Sequence, residues 1–69
     1  MAYLTAELRR QFIASRRRLI YTLEQRIAAN RELLNVPQEN KAARQSMLDI
    51  LLSEKTRLES DIVALQMAA

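Results

Sequence analysis

The chain has 69 residues, close to the lower limit at which one hydrophobic core offsets chain entropy, so folding alone is marginal. It holds no Cys, His or Gly, which removes disulfides, thiolate and imidazole metal sites, histidine general bases, and the glycine loops that cradle phosphates or form nucleophile elbows. With 49% hydrophobic, 28% charged and 4% aromatic residues and a net charge of +3, the composition is that of an amphipathic helical protein with no catalytic, cofactor or metal chemistry of its own.

The first predicted element is a helix over residues 5–34. Thr5 is its candidate N-cap and Glu7 places a negative charge in the first turn. Ile13, Ile20, Ile27 and Leu34 recur every seven residues and Leu23 fills the intermediate position, which makes a coiled-coil seam. Asn35-Val36-Pro37 is the only punctuation in the chain. Asn accepts the left-handed conformation that ends a helix, the residue before Pro is pushed out of the helical region, and Pro suits the first turn of a new helix. The spacing therefore predicts a turn at 35–37 and a second helix over 37–66, with Met67, Ala68 and Ala69 fraying. In that helix Leu48, Leu51, Leu58, Ile62 and Leu65 form a second seam, interrupted by Lys55.

Two seams joined by one turn predict an all-α fold, an antiparallel two-helix coiled-coil hairpin. Each arm is about 45 Å long at the helical rise. Folding about Val36 pairs residues whose numbers sum to roughly 72. Leu23 then meets Leu48, Ile20 meets Leu51 and Leu52, and Ile13 meets Leu58. The same rule sets Arg9 near Asp61 and Arg16 near Glu59. Opposite charges fit this pairing, because the first arm has seven arginines against three glutamates while the part from Gln38 has four bases against five acids. No apolar run approaches the roughly 18 residues of a spanning helix, and the expectation is a soluble intracellular protein.

A helical wheel shows more apolar surface than one facing helix covers. Leu4, Leu8, Phe12, Leu19 and Leu33 lie beyond the seam of the first arm, and Ile50, Leu52 and Val63 lie outside the seam of the second. A two-helix rod has no third layer to bury them, so a heterologous helical protein or a second copy is expected to cover that face. Met47 and Met67 read as packing filler. Arg9, Arg10, Arg16, Arg17 and Arg18 form a candidate basic patch, and the alternative function is a homodimeric bundle binding RNA or DNA through Arg16, Arg17 and Arg18. On the wheel these arginines scatter rather than share one face, which suits long side chains around a protein interface. Ser46, Ser53 and Ser60 read as a polar face, and Glu54, Glu59 and Asp61 diverge too far for a hard-metal site.

The turn followed by Pro37-Gln38-Glu39, and the stretch Arg57-Leu58-Glu59-Ser60-Asp61-Ile62-Val63-Ala64-Leu65 in the second arm, resemble the small subunit of the type III secretion needle co-chaperones, the YscE, PscE and EscE type. The likeness spans about Arg16 to Leu65, with Asn35-Val36-Pro37 standing where those proteins commonly carry glycine. The resemblance implies a non-catalytic subunit in the bacterial cytoplasm that binds and stabilises a larger helical-repeat co-chaperone, the pair keeping a needle subunit soluble before export. Under that reading the partner-binding residues are Leu8, Phe12, Leu19 and Leu33 on the first arm and Leu58, Ile62 and Leu65 near the open end.

Overall fold

The structure, a computed structural model, describes residues 5–37 and 39–67. Leu4, and the tail positions Ala68 and Ala69, lie outside the described residues. Two helices, α1 (Ala6–Leu34) and α2 (Lys41–Met67), run antiparallel as a hairpin, with no strand among the described residues. The molecule measures 53 × 17 × 15 Å, one helix deep and two helices wide.

Local chemistry sets the ends of α1. The Thr5 hydroxyl oxygen accepts from the Leu8 N–H at 3.1 Å, satisfying one of the amides a helix leaves unpaired at its start, and Glu7 occupies the first turn. At the other end Asn35 does not take the expected left-handed conformation. Its φ of −81° and ψ of −7° keep it in the right-handed region, and no described residue has positive φ. Without glycine the helix instead tightens: the Asn35 N–H donates to the Glu32 carbonyl at 3.1 Å and the Val36 N–H to the Leu33 carbonyl at 3.3 Å.

The start of α2 falls later than expected. Pro37 lies in the connection rather than in the first helical turn, and the ladder opens where the Arg44 N–H donates to the Asn40 carbonyl at 3.1 Å. Asn40 is a residue type favoured at helix starts, so it supplies the boundary that Pro37 was expected to supply. The helix also carries through Met67 rather than fraying there.

This longer connection moves the register. Its midpoint lies just past Pro37 rather than at Val36, and facing positions sum to more than 72: 74 for the 3.4 Å hydrogen bond from an Arg44 guanidinium N–H to the Asn30 Oδ1, and 77 for the pair of Arg16 with Asp61. Leu23, Ile27, Leu48 and Leu51 make one buried cluster, with Leu34, Leu52 and Leu58 packed against it. Leu23 and Leu48 thus share a core as expected. Leu52, expected outside the seam, is half-buried because Ile27 and Ala28 of α1 lie across from it. Arg16 pairs with Asp61 at 3.7 Å, not with Glu59 as expected.

The inward positions keep the heptad along both helices. On α1 they are Arg9, Ile13, Arg16, Ile20, Leu23, Ile27, Asn30 and Leu34; on α2 they are Arg44, Leu48, Leu51, Lys55, Leu58, Ile62 and Leu65. Polar members of such a seam set its alignment at some cost in stability. Asn30 is satisfied on both sides, donating to the Arg26 carbonyl at 2.8 Å while accepting from Arg44. Lys55 is half-buried, its long stem suited to lying along the apolar seam.

Candidate interaction face

Leu8, Phe12, Leu19, Leu33, Met47 and Ile50 lie on one face of the hairpin, while Tyr21, Val36, Val63 and Met67 are exposed apolar groups outside this set. Phe12, Leu19, Arg26 and Leu33 recur every seven residues along α1, and Leu8 begins the next row. Leu19 and Arg26 line a groove with Glu54, Arg57 and Asp61 of α2, so that flank of α2 belongs to the same face. Met47 and Ile50 stand seven residues before Glu54 and Arg57 and therefore continue this flank toward the turn. Leu8, Phe12, Leu19, Leu33, Met47 and Ile50 are each between 41% and 54% exposed, a high value for large apolar groups.

The face has three zones along its length. Leu33, Met47 and Ile50 form an apolar zone near the turn, and Leu8 and Phe12 form another toward the open end. Between them lies a charged waist with two bases, Arg26 and Arg57, and two acids, Glu54 and Asp61, around Leu19. The zones follow from the heptad and the antiparallel register together, since neither helix alone carries the pattern.

At the open end Arg16 fixes Phe12. Its guanidinium carbon lies 5.9 Å from the ring centroid, and a guanidinium N–H donates to the Phe12 backbone carbonyl at 3.3 Å. Its Nε is shielded from water and faces the Asp61 carboxylate at 3.7 Å, a separation that supplies charge attraction rather than a hydrogen bond. Arg16 is thus held in the hairpin seam between Phe12 and Asp61.

That arrangement divides the five arginines expected to form a basic patch. Arg9 and Arg16 are half-buried inward positions, whereas Arg10, Arg17 and Arg18 are exposed. Arg10 and Arg17 share one row at seven-residue spacing, and Arg18 turns about 100° further round the helix. Five cations spread over three rows of the helix do not present the single basic surface that releases many counterions together.

Of the residues expected to bind a partner, Leu8, Phe12, Leu19 and Leu33 lie on the exposed face. Ile62 does not: it is 8% exposed and packed in the hairpin seam, and Leu58 and Leu65 are half-buried inward positions of the same seam. Their heptad spacing serves the hairpin itself. Met47 and Met67, expected to fill packing gaps, are exposed instead, and Met47 joins the apolar face. Val63 lies on the opposite flank of α2 with Thr56 and Glu59. Ile50, expected as surplus apolar surface, lies on this face; Met47 is the member that the sequence reading missed, although its seven-residue offset from Glu54 carries the signal.

No group of three or more metal-ligating carboxylates converges among the described residues. No described helix is long and apolar enough to cross a membrane. The fold and its face define a two-helix coiled-coil hairpin with one unpartnered apolar side. Comparison of the chain with family models, with curated proteins and with solved structures finds no match.

Proposed function

We propose that the chain is a non-catalytic binding subunit that docks onto a heterologous helical protein through the face centred on Leu19. The observation that supports this reading is the clustering of Leu8, Phe12, Leu19, Leu33, Met47 and Ile50, all large and all exposed, on one side of a rod with no further layer of its own. Such a face fits the helix-in-groove mode of recognition, in which apolar anchors at helical spacing supply most of the affinity. In its specific form the proposal makes the partner the larger helical-repeat co-chaperone of a type III secretion needle subunit, in the bacterial cytoplasm. The likeness of the stretch from Arg57 to Leu65 supports that form.

Co-expression with a tagged helical-repeat co-chaperone of that type tests the reading. Leu19→Asp and Phe12→Asp are expected to abolish co-purification while far-UV circular dichroism still reports a largely helical chain, because both side chains lie outside the buried hairpin core. Retention of binding by both variants would remove this face from the interface.

A further inference from the structure

The rod exposes far more surface than a compact chain of its mass. Its accessible area is 5574 Å², whereas a folded monomer of 8.0 kDa is expected to expose about 4,450 Å². The excess is about 1,100 Å², and a partner in a stable protein complex contributes about 800 Å². The radius of gyration shows the same departure, 16.0 Å against about 11 Å for a compact chain of this length. The hairpin core is correspondingly thin, with Leu23, Ile27, Leu48, Leu51 and Ile62 buried and no side chain reaching full burial among the described residues.

The charges on the apolar face indicate what covers it. Arg26 and Arg57 stand beside Glu54 and Asp61, the last also paired with Arg16, so the waist carries charges of both signs. An interface between identical copies must be self-complementary, each patch meeting its own image, and a face of one sign would repel itself. A waist with two bases and two acids between two apolar zones meets that requirement. Pairing two such rods face to face makes a two-layer bundle of four helices, the standard way for helical hairpins to complete a core.

We infer that, in the absence of another partner, a second copy of this chain covers the face, giving a homodimeric four-helix bundle with Leu19 and its charged waist at the centre. The heterologous partner of the proposed function then replaces one copy on the same surface. The inference stands without that function, because it concerns the purified chain alone.

Sedimentation equilibrium of the purified full chain across a range of concentrations tests it. The expected mass is twice the 8.0 kDa of one chain. Two charge-reversed chains test the waist, with helicity read beside mass: one carries Arg26→Glu with Arg57→Glu, the other Glu54→Arg, with Asp61 kept because it pairs with Arg16 inside the hairpin. Each alone is expected to dimerise on the order of 100-fold more weakly, since like charges then face one another, and a one-to-one mixture is expected to restore dimer and helicity together. A monomeric wild-type chain would overturn the inference while leaving co-purification with a heterologous partner unaffected. Reversed chains that self-associate as well as the wild type, or a mixture that restores nothing, would also overturn it.

Discussion

Replacing Ile27 by alanine probes the register directly. Ile27 is 4% exposed, the most buried of the five core side chains, and it packs with Leu23, Leu48 and Leu51 at the centre of the contact between the helices. Truncation of a buried isoleucine to alanine costs about 2 to 5 kcal/mol, depending on how far the surroundings collapse into the space left. Here the seam is open along both flanks and no described side chain is fully enclosed, so collapse and hydration are easy and the expected cost is about 2 to 3 kcal/mol. A chain of this length has about 3 to 10 kcal/mol of total stability, so the loss is a large share of it. The corresponding fall in melting temperature is roughly 10 to 20 °C. The assay is urea and thermal unfolding followed by far-UV circular dichroism, with wild type and variant at equal concentration because association shifts apparent stability. Val63→Ala is the control: Val63 is 52% exposed on the opposite flank, and its truncation is expected to stay within about 0.5 kcal/mol of wild type. A loss below about 1 kcal/mol for Ile27→Ala, or an equal loss for Val63→Ala, would refute the assignment of the core.

Two further substitutions test the ends of the rod. Thr5→Ala removes the acceptor of the Leu8 N–H and is expected to cost about 1 kcal/mol, with faster hydrogen exchange at Leu8 and its neighbours in the first turn and little change near Leu23. Asp61→Asn is expected to change stability by less than about 1 kcal/mol, because the pair with Arg16 is long and its side chains are 32% and 44% exposed. Arg16→Ala is expected to cost more than Asp61→Asn in the same unfolding assay, since it also removes the stem and guanidinium that lie over Phe12; equal costs would mean that the charge pair is all that Arg16 contributes.

Local chemistry along the chain is enough to define two helices and the inward face of each. A threonine followed by helix formers starts α1, the absence of glycine leaves one break at Asn35-Val36-Pro37, and the seven-residue recurrence of Ile13, Ile20, Ile27 and Leu34 names the seam. Leu8, Phe12, Leu19 and Leu33 are legible as surplus for the same reason, since helical geometry alone turns them away from that seam.

What that local chemistry does not settle is how far the turn extends, and several conclusions depend on it. Pro37 and Asn40 both suit a helix start, and only the packing of Leu48 and Leu51 against Leu23 and Ile27 selects Asn40. That choice shifts the facing positions by two to five residues, which sets Asn30 against Arg44 and gives Asp61 to Arg16. It also decides which flank of α2 lies beside Leu19. Ile62, a seam position by its spacing and a partner-binding residue by the family resemblance, is buried by α1; Met47 reads as packing filler, yet it is half exposed on the apolar face. A helix period tells which residues share a side of one rod, whereas the side on which the second rod lies is fixed by interdigitation of side chains distant in sequence. The sequence by itself therefore determined that this chain has apolar surface beyond its own core, and the tertiary structure decided which residues from both helices compose it.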